Sequence, residues 1–246
     1  MLADKPKYTA LIMAAGLGTR MHAAEKKQFM DLNGRPVIWH TIRAFEENGY
    51  IDNIVITVPK GGAEEMLKLC VSSGFRKVRS ITEGGDERFK SVYNGLRSVP
   101  EDTEYILIHD GVRPLITREV IDRCCKYVPI TMACVAAVPV TDTIKRADPS
   151  GFARETLDRS QLWSIQTPQA FSFTLIKKAY DSLYKTIEEY GADTGKITDD
   201  AVIVENMTDT RVRIIRGDYC NIKITNPGDM AVARALMAMR DGDRDI

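Results

Sequence analysis

Unbroken apolar runs alternate along this chain with stretches whose apolar positions recur every three or four residues. Residues 8–13 form an apolar run that predicts a buried first strand, followed by a glycine-bearing loop. Over residues 36–48, Val37, Ile38, Ile42 and Phe45 fall at helical spacing, with a proline at the first turn and Gly49 just past the end. The same alternation predicts strands over 53–58, 77–81, 105–109 and 133–138, and helices over 63–73, 86–97 (capped by Asp86) and 117–127. Strands that are apolar throughout, rather than at every second position, must be covered on both faces. The expectation is therefore an α/β fold with a mostly parallel, Rossmann-like sheet and helices on both faces. Such sheets bind ligands at the carboxyl ends of their strands, which directs attention to the loops after Met13, Ile81, His109 and Val138.

Residues 139–163 break this rhythm. The segment is polar, turns at Asp148-Pro149-Ser150-Gly151, and has strand-like flanks at 142–146 and 155–157. It reads as a β-arm projecting from the sheet. A long excursion from a compact domain is usually functional or an interface, and a dimer contact is the preferred use. Beyond it the pattern predicts a long helix over 172–190 and a short helix capped by Thr198-Asp199-Asp200-Ala201. Strands over 212–216 and 221–224 and a closing helix over 227–240 complete the reading. With no repeat, low-complexity tract or linker, residues 1–246 read as one domain carrying the arm.

Composition narrows the function classes. Lys plus Arg equals Asp plus Glu at 34 each, which argues against bulk nucleic-acid binding. No stretch approaches 18 uncharged apolar residues, and the first seven residues lack the apolar core of a signal peptide. The five cysteines are odd in number and form no CxxC pair, so they read as buried free thiols of a cytoplasmic protein. Three scattered histidines do not make a zinc site, and no metal-ligand cluster is visible.

The loop after the first strand, Ala14-Ala15-Gly16-Leu17-Gly18-Thr19-Arg20-Met21, lets backbone N–H groups approach an anion. It is not a dinucleotide fingerprint, because Met21 stands where the third glycine belongs. It is not a P-loop either, because Gly-Lys-Ser/Thr is missing. Arg20 and Lys27 are instead placed to converge on one polyphosphate, Arg by its planar fork and Lys as a point charge.

That loop resembles the signature of sugar-phosphate nucleotidyltransferases, and further landmarks recur in order. Residues 83–92 (EGGDERFKSV) resemble a cytidylyltransferase base-recognition loop, and His109-Asp110-Gly111-Val112-Arg113-Pro114 resembles HDxxRP. Residues 139–145 (PVTDTIK) resemble PVxDTxK, followed by Asp158-Arg159, Trp163, Thr167-Pro168-Gln169, Thr198-Asp199 and Asn221-Ile222-Lys223-Ile224-Thr225. Together these resemble the 2-C-methyl-D-erythritol 4-phosphate cytidylyltransferase family, whose near relatives use ribitol 5-phosphate. The resemblance runs from about residue 8 to residue 240. It implies a fold of the nucleotide-diphospho-sugar transferase type and CMP transfer from CTP to a phosphorylated polyol. It further implies that Ala14, Ala15 and Gly16 line the nucleotide pocket, with Gly85, Asp86 and Ser91 reading cytosine. Arg20, Lys27 and Lys223 would carry the charge of the reacting phosphates. Asp110, Arg113, Thr143, Arg159 and Thr167 would bind the acceptor, Arg159 and Thr167 reaching the site of a second subunit in a homodimer. Mg²⁺ is expected on the CTP phosphates rather than on protein ligands. Two alternatives stand beside this reading: a ribitol 5-phosphate acceptor, and a silent nucleotide-binding protein that keeps the fold. Lys26 replaces a frequent proline, and Gly111-Val112 replaces a common Ala-Ala; neither touches the charged residues.

Overall fold

The computed structural model describes residues 5–16, 27–191 and 193–242. The chain runs β1 (Tyr8–Met13), β2 (Asp31–Leu32), β3 (Arg35–Pro36), α1 (Val37–Glu46), β4 (Ile51–Val58), α2 (Ala63–Ser72), β5 (Val78–Glu83), α3 (Arg88–Leu96), β6 (Tyr105–Asp110) and α4 (Arg118–Thr131). It continues with β7 (Ala133–Pro139), β8 (Lys145–Ala147), β9 (Ala153–Thr156), β10 (Trp163–Ser172), α5 (Phe173–Tyr190), α6 (Asp200–Met207), β11 (Arg213–Arg216) and α7 (Pro227–Gly242).

Seven strands form one sheet in the order β11-β7-β10-β6-β1-β4-β5. All neighbours pair in parallel except β10, which runs antiparallel between β6 and β7. Successive side chains of a strand point to opposite faces, and the core divides accordingly. Tyr8, Ala10 and Ile12 of β1 pack with residues of α1, α2 and α4, whereas Leu11 packs with α3, α5 and α6. Both faces of the sheet are thus covered by helices, as uniformly apolar strands require. A third cluster, containing Leu32, Val37, Val112, Leu115, Ile224 and Met230, seats α7 beside the carboxyl end of β6.

Two expectations are corrected, and one strand was missed. The strand β10 was not visible in the sequence, because Gln166, Thr167, Pro168 and Gln169 interrupt its apolar pattern. The register breaks between Ile165 and Gln169, so a bulge absorbs Gln166, Thr167 and Pro168 while both flanks pair, Gln169 included. Residues 221–224 form no strand. Ile224 instead enters the third apolar cluster, and its N–H donates to Val112 O at 2.9 Å. Asp86 does not cap α3. The helix starts at Arg88, and the Asp86 carboxylate turns to Lys90 at 2.9 Å. Asp199, by contrast, caps α6 by accepting from Val202 N.

Within the arm, β8 and β9 form a separate two-stranded antiparallel sheet with every residue exposed. Between Lys27 and α1, the hairpin β2–β3 turns on Asn33 and Gly34, both at positive φ (52° and 79°), as a two-residue primed turn requires.

Candidate active site

Register puts the strand ends level. Met13 pairs with Thr57 and with Asp110, and Val58 pairs with Glu83. The loops leaving β1, β4, β5 and β6 therefore open on one side of the sheet. They bound a cleft of about 610 Å³, lined among others by Ala14, Ala15, Gly16, Lys27, Gln28, Lys60, Gly84, Gly85, Asp86, Arg88, Ser91, Asp110 and Lys223. This is where ligands bind on open α/β sheets.

One wall is backbone. Ala14 N donates to Thr57 O and Gly84 N to Val58 O, each at 2.8 Å, which fixes both glycine loops to strand β4. A methyl group at Gly84 would collide with Ala15 Cβ and come within 2.6 Å of Ser91 Oγ, so only glycine lets the two loops meet. Ser91, expected to read cytosine, is buried with its hydroxyl on the loop: Oγ accepts from Gly85 N at 3.0 Å and lies 3.1 Å from Glu87 O. Gln28 donates from Nε2 to Ala14 O at 3.1 Å, while its Oε1 is buried without a partner.

The other wall is charged. Asp110 is nearly buried, and three cations converge on it: Lys223 Nζ at 3.1 Å, Arg113 Nε at 3.2 Å and Arg88 Nε at 4.0 Å. Burial alone would raise its pKa. Lys223, Arg88 and Arg113 outweigh that and hold the carboxyl well below the usual range, so it stays ionised. Arg88 is pinned in turn by a bidentate pair with the wholly buried Asp200 (2.9 and 2.6 Å), which also accepts from Tyr180 Oη at 2.7 Å. The guanidinium is costly to bury, but Asp200 more than compensates and raises its pKa. Behind Asp110, its own N–H donates to Thr167 Oγ1 at 3.1 Å. The Thr167 hydroxyl lies 3.0 Å from Nδ1 of buried His109, whose Nε2 lies 3.3 Å from Arg113 O. Since Arg113 O only accepts, Nε2 carries the imidazole proton and Nδ1 accepts from Thr167.

The structure brings together Ala14, Ala15, Gly16, Lys27, Gly85, Asp86, Ser91, Asp110 and Lys223 around the cleft. Arg113 stands behind Asp110, holding it and Asn221 O (2.8 Å). Thr167 is buried beneath Asp110 in its own chain, rather than on the projecting arm. Thr143 and Arg159 are exposed on the arm, away from the cleft lining, and Arg159 donates to Thr141 O at 2.9 Å. Arg20 lies outside the described residues. Sequence reading missed Arg88, Asp200, Gln28 and Lys60 as site residues. Arg88 lay inside the recognised 83–92 motif and Asp200 in the predicted cap of a short helix, yet nothing in the linear pattern pairs two residues 112 positions apart.

No group of three His, Cys, Asp or Glu able to hold a metal ion occurs among the described residues. The described carboxylates of the cleft are spoken for: Asp110 by three cations, Asp86 and Glu87 by Lys90. This donor set does not fit a protein-held divalent ion. The cysteines are free, all but Cys220 buried. No described helix is long and apolar enough to cross a membrane.

Comparison with known proteins agrees with this geometry. The family model for IspD, 2-C-methyl-D-erythritol 4-phosphate cytidylyltransferase, matches residues 8–239. A protein of that name from Lachnospira eligens is 46% identical over 225 residues, covering 92% of this chain and 96% of the relative. One from Alkaliphilus oremlandii is 43% identical over 235 residues, covering 95% and 96%. The solved 4-diphosphocytidyl-2C-methyl-D-erythritol synthase of Anaerococcus prevotii superposes with a TM-score of 0.81 at 31% identity, covering 96% of this chain and 97% of that one. The chain belongs to the 2-C-methyl-D-erythritol 4-phosphate cytidylyltransferase family and is a nucleotidyltransferase.

Proposed function

We propose that this chain transfers CMP from CTP to 2-C-methyl-D-erythritol 4-phosphate, giving CDP-methylerythritol and pyrophosphate. The observation that carries the reading is the cleft itself: two glycine loops face a cationic cluster of Lys27, Arg88 and Lys223. An acceptor phosphate oxygen attacks the α-phosphorus of CTP in line, the bond to the β-phosphate breaks, and pyrophosphate departs. The acceptor phosphate is already ionised near neutral pH, so no general base is required. The task is to hold two anions together and balance the charge that grows as the bond breaks. Lys27, with Arg20, holds the triphosphate, and Lys223 reaches the reacting phosphates. The backbone of Ala14, Ala15, Gly16, Gly84 and Gly85 walls the base. Ser91 acts by shaping the base loop, in keeping with its bonds to Gly85 and Glu87. Mg²⁺ arrives with CTP as part of the substrate.

Arg113 and Thr167 set Asp110, which faces the acceptor. Thr143 and Arg159 complete the acceptor pocket of a second copy, making the working unit a homodimer joined through the arm. The exposed Phe152, Trp163, Ile165, Ile214 and Tyr219 give that contact an apolar surface. The protein works in the cytoplasm, where its thiols stay reduced.

Pyrophosphate release with CTP and Mg²⁺ tests the reading, with methylerythritol 4-phosphate and ribitol 5-phosphate offered separately. Release with the first alone is expected. Release with ribitol phosphate alone transfers the activity to the neighbouring family, and silence with both, from folded protein that binds CTP, rejects it.

A further inference from the structure

Lys223 sits on a segment without regular structure: residues 217–225 contain no helix and no strand. No ladder fixes its ammonium, yet Nζ stands 3.1 Å from Asp110 Oδ2. Two residues upstream, Asn221 is wholly buried. Its Nδ2 donates to Thr167 O at 2.8 Å and to Gln166 Oε1 at 3.3 Å, both in the bulge of β10. Its carbonyl accepts from Arg113 Nη1 at 2.8 Å. Thr167 O can only accept, which fixes the orientation of the amide. The side-chain oxygen of that amide, Oδ1, is buried without a partner.

These contacts close a circuit. The N–H of Asp110 is held by Thr167 Oγ1, Thr167 O is held by Asn221, and the chain from Asn221 returns through Lys223 to the Asp110 carboxylate. The same bulge also grips the start of the segment, Gln166 Nε2 donating to Asp218 O at 2.8 Å. Downstream, the segment's anchor is Ile224 in its apolar cluster. An unpaired buried oxygen costs stability, so packing alone does not explain an asparagine here. Its amide does what an aliphatic side chain cannot: it ties the lysine-bearing segment to the strand that also holds Asp110.

We propose that Asn221 is a positioning residue for Lys223, acting through the β10 bulge and touching no substrate. The proposal rests on the assignment of Lys223 to the reacting phosphates, so its test separates the two. Steady-state kinetics of CMP transfer are measured for the parent, Asn221→Ser, Lys223→Ala and the double variant, alongside melting temperature. Asn221→Leu, which keeps the same count and branching of side-chain heavy atoms, repeats the cycle if the serine variant does not fold. Asn221→Ser is expected to lower kcat/KM about 30-fold in the parent, mostly through kcat, and less than about threefold once Lys223 is alanine, since coupled residues are not additive. The same factor in both backgrounds means a general structural role and overturns the proposal, as does a loss below about threefold in the parent. Full activity of Lys223→Ala removes the premise itself, and the proposal with it.

Discussion

His109 shows how much one buried side chain decides. It is fully enclosed beside Asp110 and Arg113, and burial pushes its pKa down to about 3. The unfolded chain takes up this proton below about pH 6.5 while the folded chain does not, so stability is present above pH 6.5 and is lost as pH falls toward the folded value. For this group alone the loss between pH 7 and pH 5 is about 2 kcal/mol. Urea unfolding at both pH values is expected to show it, and His109→Gln to remove most of it; an unchanged pH dependence in that variant would reject the assignment. Gly84 acts at the same scale. Its missing side chain is what lets the β5 loop touch Ala15 and Ser91. Overpacking of this kind costs about 1–3 kcal/mol. Gly84→Ala is therefore expected to raise KM for CTP about tenfold, with a smaller change in kcat, in steady-state assays.

Among the elements, α3 and α6 come from distant parts of the chain and meet at one ion pair. Arg88 opens α3 and Asp200 opens α6, and Gln169 of β10 accepts from the N–H groups of Asp200 and Ala201 at 3.0 Å. Removing one partner of a buried pair strands the other charge, at a cost of about 3–5 kcal/mol. Asp200→Ala is expected to lose that much stability in urea. It should also weaken CTP binding by titration calorimetry, because Arg88 lines the cleft. Undiminished CTP affinity would confine the pair to folding. The sequence already showed α6 and its cap. It gave no sign of the ion pair, since the partner of a charge is set by topology and not by spacing.

The whole molecule is arranged so that one copy leaves Thr143 and Arg159 outside its own cleft. If the arm serves a second subunit, defects in cleft and arm complement each other. Lys27→Ala and Arg159→Ala homodimers, each nearly inactive, are expected to recover about a quarter of parental sites after unfolding and refolding together, since half the dimers are mixed and each mixed dimer has one intact site. Activity that stays at the level of the two variants separately would place Arg159 in its own subunit's site or in none.

Local chemistry and period fixed much of this protein. Uniformly apolar runs demanded a sheet covered on both faces, and helical spacing located the helices α1 to α5. A glycine loop with Lys27 nearby pointed to the cleft that these residues line. Tertiary structure decided what depends on non-local pairing. The bulged strand β10 is held by neighbours on both sides despite its polar middle. The Ile222–Ile224 alternation plugs an apolar cluster instead of joining a ladder. Asp110 gathers Arg88, Arg113 and Lys223 because β5, β6 and the segment before α7 end at one level of the sheet. A side chain's period is written in its neighbours along the chain, but the charge it meets depends on which strands lie side by side.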